Sequence, residues 1–393
     1  MGPQPRMDEE TRLIRAGTAP RSLVKTVGPP IQKGSTVLLP NAEALYDDDH
    51  HVTYGRQGLA AQGALQDALA TLEGAVGVSL YPSGLAALAG ALLAVLKAGD
   101  QVLVSDAIYK PTRRFCDHVL KRFGISTTYF DPEAEAEPLV AGASDAVRLI
   151  LMESPGSLTF EMQDQAAVAR LARDRGILTA TDNTWAAGYL YRPLEHGIDI
   201  SIQALTKYVG GHSDVFMGSA AARDPELVRR LDDGVLHLGW AVSQEDAYQM
   251  LRGLRTLPTR LARHGESALR IAHWLKARPE VAEVYHPALP GAPGHELFAR
   301  DYSGGCGLFA FALKPAPEEA VNGFLDALTL FGLGFSWGGF ESLAISCEPQ
   351  LKTRKFRRDY GGPLIRLHVG LESPDDLIAD LAQGLAAYER LAG

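Results

Sequence analysis

Apolar residues recur along the chain in two rhythms. Between Leu59 and Glu73, Leu65, Leu69 and Leu72 return at helical spacing, which predicts an amphipathic helix. Beyond it, Val78–Tyr81, Gln101–Ser105, Ser126–Phe130, Arg148–Glu153, Ile177–Asp182 and Ile198–Leu205 read as strands. An Ala/Leu-rich stretch ending near Lys97-Ala98-Gly99 reads as a helix, as do Thr112–Phe123 and Gln163–Arg175, with Gly99 as the left-handed stop of the first. Apolar strands alternating with helices predict a largely parallel sheet covered on both faces. After Leu257 the texture changes. Helices Thr259–Ala277, Pro317–Leu328 and Pro374–Ala392 are interleaved with strands Val281–Tyr285, Leu308–Leu313 and Leu364–Val369, which predicts a smaller α+β domain. Residues 1–60 carry no sustained periodicity and read as an arm. The expected division is an arm (1–60), a large α/β domain (61–256) and a C-terminal domain (257–393).

Composition narrows the class. Hydrophobic residues at 46% and charged residues at 22% supply enough apolar surface to fold, which excludes a disordered chain. With 38 Lys+Arg against 47 Asp+Glu the net charge is −9, the wrong sign for a nucleic-acid binder. No run of about 18 apolar residues predicts a membrane span. The three cysteines are far apart and in no CxxC pair, which argues against a disulfide scaffold or thiolate zinc site. The opening residues lack an apolar signal-like stretch, so a cytoplasmic protein is expected.

Ligands of parallel sheets collect at the carboxyl ends of the strands. The polar residues there are Ser83-Gly84, Tyr109, Glu153-Ser154, Asp182-Asn183 and Thr206-Lys207. Pro82-Ser83-Gly84-Leu85 opens a helix straight after a strand, either as a tight turn or as an anion site of first-turn amides. Asp182 is either a local cap or the partner of a protonated ring nitrogen. Lys207 is either an exposed strand-end amine or an imine-forming one. Together they suit pyridoxal 5′-phosphate (PLP), which needs an amine, a carboxylate, phosphate donors and a surface for its ring.

Two other enzyme classes fare worse. A nicotinamide oxidoreductase lacks its G-x-G-x-x-G turn. A metal-dependent hydrolase would rest on Asp47-Asp48-Asp49-His50-His51 with His212 and Asp214, whose histidines lack zinc-like i, i+4 spacing; no metal is expected. A binding protein without catalysis would not need the whole cofactor set.

The segments Tyr54-Gly55-Arg56, Pro82-Ser83-Gly84, Glu153-Ser154-Pro155-Gly156-Ser157, Asp182–Gly188, Gln203–Tyr208, Arg252–Leu257, Ser336–Leu343 and Ile365–Glu372 occur in one order from about residue 50 to the C-terminus. In this the chain resembles the Cys/Met-metabolism family of PLP enzymes, and within it the beta-lyase branch. The resemblance implies a fold-type I transferase-like architecture, with a mostly parallel seven-stranded sheet in the large domain. It implies a homotetramer of two active dimers, in which Tyr54 and Arg56 reach the neighbouring subunit's cofactor phosphate. By the same resemblance Lys207 is the Schiff-base lysine, Asp182 the pyridinium partner and Tyr109 the stacking, proton-transferring tyrosine. Gly84, Leu85 and Thr206 are implied phosphate ligands. Arg366 holds the substrate α-carboxylate, against the alternative of a surface salt bridge, and Ser336, Trp337 and Tyr54 also face the substrate.

The implied reaction is a carbon–sulfur cleavage of an amino-acid substrate, L-cystathionine giving L-homocysteine, pyruvate and ammonia, with cystine and other cysteine S-conjugates as further substrates. Cystathionine or methionine gamma-lyase chemistry is the alternative. Trp337, where gamma-enzymes more often carry Leu, favours the beta branch. So do the absence of Asn-Pro after Glu153-Ser154-Pro155 and the presence of Ala204 in place of a serine. Gln57 stands where some beta-lyases have a second arginine, which would relax substrate choice.

Overall fold

The computed structural model describes residues 7–16, 26–47 and 52–392. Its larger sheet contains β1 (Gly77–Tyr81), β2 (Gln101–Ser105), β3 (Ser126–Phe130), β4 (Val147–Glu153), β5 (Leu178–Asp182), β6 (Ile200–Gln203) and β7 (Gly218–Ala222). The strand order is β1-β7-β6-β5-β4-β2-β3. The pairs β2/β3, β2/β4, β4/β5 and β5/β6 are parallel, and β7 runs antiparallel to both β1 and β6. Only β7 is therefore reversed, and the other six strands end along one edge. Strands such as Val102-Leu103-Val104 are buried throughout because each face is covered. One face packs under helices Gly84–Val95 and Pro225–His237, the other under Ala60–Glu73, Gln165–Asp174 and Gln244–Leu254.

The second sheet joins β8 (Val281–Tyr285), β9 (Leu308–Leu313), β10 (Gly332–Leu333), β11 (Leu343–Ser346) and β12 (Leu364–His368) in the order β10-β11-β12-β9-β8. Helices Leu257–Lys276, Glu318–Asp326 and Pro374–Ala392 share a core with it built on Phe309, Phe311, Phe324 and Leu381. Among the described residues no helix is long and apolar enough to cross a membrane.

Two helix expectations needed correction. The Ala/Leu-rich helix stops at Val95, where Leu96 turns extended (φ −107°, ψ 147°). Gly99 does have positive φ (+92°), but it lies in the following turn, where the Asp100 carboxylate accepts the Lys97 N–H at 2.9 Å. The next helix starts at Lys110, with Pro111 suited to its first turn, and passes into a π-helical turn over Cys116–Leu120. The arm is not wholly irregular. Helix Glu9–Arg15 buries Leu13, and Glu9 pairs with Arg192.

Strand β7 gave no sequence signal. Gly-Ser-Ala-Ala-Ala lacks the branched and aromatic residues that favour strands. Its small residues answer to packing: a Cβ on Gly218 would lie 2.4 Å from the Ser83 carbonyl oxygen. Likewise a Cβ on Gly84 would lie 2.4 Å from Ala204 Cβ. The helix that opens at Gly84 is thus pressed onto the centre of the sheet, which fixes where its amide end points. Gly218→Ala is expected to lower stability by about 1–3 kcal/mol, the usual cost of overpacking, read as a lower denaturant midpoint. An unchanged midpoint would show that the helix is not pinned there.

Candidate active site

The edge where the parallel strands end meets the second sheet across one cavity. Its lining includes Ser83, Gly84, Leu85, Tyr109, Glu153, Asp182, Thr184, Thr206, Lys207, Ser336 and Trp337. Eight of the expected site residues are therefore neighbours: Gly84, Leu85, Tyr109, Asp182, Thr206, Lys207, Ser336 and Trp337.

Lys207 follows β6 on a turn that also gives Thr206. Its Nζ donates to Ser336 Oγ at 2.9 Å and lies 5.4 Å from the Trp337 ring centroid. Burial, with help from the Arg366 charge, lowers its pKa from the ordinary 10.5 to about 8, against the opposing pull of Asp182 and Glu341. An exposed strand-end amine, the bland alternative, is excluded. Asp182 ends β5 at 8% exposure, and its Oδ1 accepts the Thr184 N–H at 3.1 Å and hydroxyl at 2.5 Å. Its Oδ2 takes no hydrogen bond from any described residue. Burial raises its pKa, while the Thr184 bonds and Lys207 oppose the rise.

Ser83 caps helix Gly84–Val95 by accepting the Ala86 N–H at 3.1 Å. The Gly84 and Leu85 amides, in the same first turn, find no acceptor among the described residues. The Thr206 hydroxyl is engaged on both sides by Met217: it donates to the carbonyl at 3.1 Å and accepts the N–H at 3.0 Å. Tyr109 is 41% exposed, and its backbone N–H donates to Glu153 Oε2 at 2.7 Å. Desolvation, then the Asp182 and Glu153 charges, raise its phenol pKa, so the hydroxyl keeps its proton.

Arg366 sits on β12 between Ala310 and Ile345, at 6% exposure. It donates to the Phe335 carbonyl at 3.0 Å and pairs with no carboxylate among the described residues. A surface salt bridge is thus ruled out; this is a buried cation still lacking an anion, a costly state without a bound partner.

Glu153 was named among the strand-end residues in the sequence but given no role there. It stands level with Asp182 across β4 and β5, and burial followed by the Asp182 charge raises its pKa well above the carboxylate range. Its place beside Asp182 at a strand end was the available signal.

Tyr54 and Arg56 lie elsewhere. The Arg56 guanidinium packs over the Tyr54 ring at 5.2 Å and lines a separate cavity with Gln62, Asp232 and Trp240. Gln57 is a local cap: its Oε1 accepts the N–H groups of Thr53 (2.7 Å) and Tyr54 (2.8 Å). Of the alternative metal ligands, Asp48, Asp49, His50 and His51 lie outside the described residues. Among the described residues no group of three His, Cys, Asp or Glu side chains could hold a metal.

The cavity's unmet groups fit PLP: two helix-end amides for its phosphate, Asp182 Oδ2 for its ring nitrogen, and an amine of depressed pKa for its aldehyde. Comparison with known proteins agrees. Residues 10–386 match the model of the Cys/Met metabolism PLP-dependent enzymes. The chain is 44% identical to a cystathionine beta-lyase of Bordetella avium, over 96% of this chain and 97% of the relative. It is 40% identical to a cystathionine beta-lyase of Escherichia coli, over 96% and 98%. The structure superposes on a cystathionine gamma-lyase of Lactobacillus plantarum, solved with L-serine, at a TM-score of 0.90 and 29% identity, covering 98% and 100% of the two chains. The fold, the cavity's chemistry and the family match converge: the chain belongs to the Cys/Met metabolism family of PLP-dependent enzymes.

Proposed function

We propose that the protein catalyses the α,β-elimination of L-cystathionine to L-homocysteine, pyruvate and ammonia, and also cleaves cystine and other cysteine S-conjugates. The observation that carries this is the seating of Ser336 and Trp337 directly against Lys207 Nζ, the tryptophan being the residue that marks the beta branch. Relatives at 44% and 40% identity over 96% of the chain bear the beta-lyase title, whereas a cystathionine gamma-lyase of Mus musculus matches at 37% over 85% of it.

PLP, when bound, supplies an aldehyde that condenses with amines and a ring that accepts carbanion electrons. The chain's own residues do the rest. The Gly84 and Leu85 amides take the phosphate, joined by Thr206 when its hydroxyl releases the Met217 carbonyl. Asp182 Oδ2 holds a proton at the ring nitrogen. The Tyr109 ring covers the cofactor and its protonated phenol can donate. Arg366 clamps the α-carboxylate with its planar fork. Lys207, whose neutral form is gained as pH rises through about 8, removes the Cα proton and returns one to the departing sulfur. Ser336 Oγ holds the lysine amine in reach of both atoms.

Among the described residues the cavity lining contains no arginine, and Lys207 is its sole cation. That leaves the phosphate dianion short of positive charge within one chain. We therefore assign Tyr54 and Arg56 to the phosphate of a neighbouring subunit's cofactor, and the assembly to a homotetramer of two active dimers. We keep the division into an arm, a PLP domain (61–256) and a C-terminal domain (257–393). Three buried, unpaired cysteines suit a reducing cytoplasm.

Pyruvate and homocysteine are the expected products from cystathionine; cysteine and 2-oxobutyrate instead would assign the protein to the gamma-lyases. Lys207→Ala is expected to abolish turnover and the near-visible absorbance of the lysine-bound cofactor, and a yellow, active variant would sink the assignment. Because only the neutral amine attacks an aldehyde, the rate of cofactor uptake by apoprotein should rise with pH through about 8. A midpoint near 10.5 would mean that the lysine is not perturbed. Arg366→Ala should bind cofactor normally yet lose roughly 100-fold in kcat/KM, measured by pyruvate release.

A further inference from the structure

The turn that carries Ser336 and Trp337 is held from behind by a histidine outside the cavity lining. His368 follows Arg366 by two residues on β12, so the two side chains leave the strand on the same side. Its Nε2 lies 3.0 Å from the Gly338 N and 3.1 Å from the Gly339 carbonyl oxygen. One ring nitrogen cannot serve both. It accepts the Gly338 N–H if it carries a lone pair, and donates to Gly339 if it carries a proton.

A second buried histidine bears on which. His264, on helix Leu257–Lys276, places Nδ1 2.8 Å from the Val369 carbonyl, so Nδ1 must bear the proton. Burial holds both rings neutral, lowering the pKa of His264 to about 4 and of His368 to about 3. His264 Nε2 is then a bare acceptor, and it has no partner among the described residues. His368 Nδ1 is also buried without a partner. The rings stand 5.3 Å apart, inclined at 42°. The two leftover atoms become complementary if His368 carries its proton on Nδ1, with a bridging water or a small ring shift joining them. In that tautomer Nε2 accepts the Gly338 N–H.

We propose that His368 is a positioning residue: an Nδ1-protonated imidazole, its tautomer selected by His264, that anchors Gly338 and thereby seats Ser336 and Trp337 on Lys207. The seat is tight. Gly338 has φ +86°, and a Cβ there would lie 2.9 Å from Lys207 Cα. Tyr208, the residue after the lysine, packs on both Trp337 and His368, at 5.5 and 5.8 Å. Loss of the anchor frees the turn on the side away from the cavity, so Lys207 loses its Ser336 acceptor and its Trp337 neighbour together.

The inference rests on the beta-lyase reading for its kinetic arm only. Neutron diffraction from deuterium-exchanged holoenzyme should place the deuteron of His368 on Nδ1; a deuteron on Nε2 overturns the proposal whatever the substrate proves to be. In solution, His368→Leu should lower kcat/KM for pyruvate release about 10-fold or more. It should also red-shift the emission of Trp337, taken as the difference between each protein and its Trp337→Phe counterpart. His368→Gln, whose amide oxygen can replace Nε2 as acceptor, should restore kcat/KM to within about 3-fold and return the emission. Equal losses in the Gln and Leu variants, or wild-type behaviour in the Leu variant, also overturn it. If the Leu variant does not fold, the Gln variant and the deuteron position still decide. A wild-type enzyme that releases no pyruvate from cystathionine would instead undo the proposed reaction and leave the deuteron result standing.

Discussion

A backbone contact between the two sheets governs this active site. Gly338 approaches the Lys207–Tyr208 peptide so closely that any side chain on it would strike the lysine backbone. The lysine belongs to the turn after β6, while Ser336, Trp337 and Arg366 belong to the second sheet. Cofactor chemistry and substrate recognition are thus brought together only when the two sheets close to backbone distance. The segment after the lysine is fixed from the other side too. Buried Arg260 donates to the carbonyls of Tyr208 (2.6 Å), Val209 (3.3 Å) and Gly253 (2.8 Å) and to the Thr256 hydroxyl (3.0 Å), tying the segment after the lysine to the end of helix Gln244–Leu254. An arginine with four fixed acceptors marks how little freedom the lysine's backbone is allowed.

A second tie fixes the far wall. Asp106, just after β2, accepts the N–H groups of both Lys355 and Phe356 at 2.7 Å and pairs with Arg113. Arg354 pairs with Glu161 at 3.2 Å and donates to Thr159, all buried. The loop that carries Tyr109 is therefore anchored to a strap from the second sheet. Electrostatics inside this closed space differ from those of the surface. The chain is acidic overall at net charge −9, but Lys207 and the buried Arg366 make the space between the sheets locally cationic. Asp182 and Glu153 sit side by side, and two adjacent buried carboxylates do not both ionise readily. Burial raises both, but at Asp182 the two Thr184 hydrogen bonds and the Lys207 charge oppose the rise, which favours the ionised form there and the proton on Glu153.

Much of this was legible in the chain, for identifiable reasons. Strands Gln101–Ser105, Ser126–Phe130, Val281–Tyr285 and Leu308–Leu313 read at their true bounds because they are short apolar runs between turns. The residues at strand ends pointed to the cavity because parallel strands deliver them to one edge. Illegible features answered to neighbours rather than to local sequence. Strand β7 is built of small residues because a helix presses on it. The π-helical turn at Cys116–Leu120 carries no composition signal. Gly84 read as part of a tight turn or an anion site, but not as a packing requirement: the space where its side chain would be is taken by Ala204, and that contact sets the direction of the helix's amide end. His368 looked like one more residue of an apolar strand until its two contacts with the Gly338-Gly339 turn were visible.

The arm follows the same logic of fixing geometry in advance. Gly55 donates to the Ser35 carbonyl at 2.8 Å, and a Cβ on it would collide with Gly34. Gln57 closes the turn through Thr53 and Tyr54, and Arg56 is steadied over the Tyr54 ring. A guanidinium held this way loses little conformational freedom on meeting an anion, so more of the contact remains as binding energy. Gln57 is in turn a poor candidate for gripping a distant part of the substrate, since its carbonyl oxygen is already committed. What the amide does instead is local: by accepting from Thr53 and Tyr54 it stiffens the turn that presents Arg56.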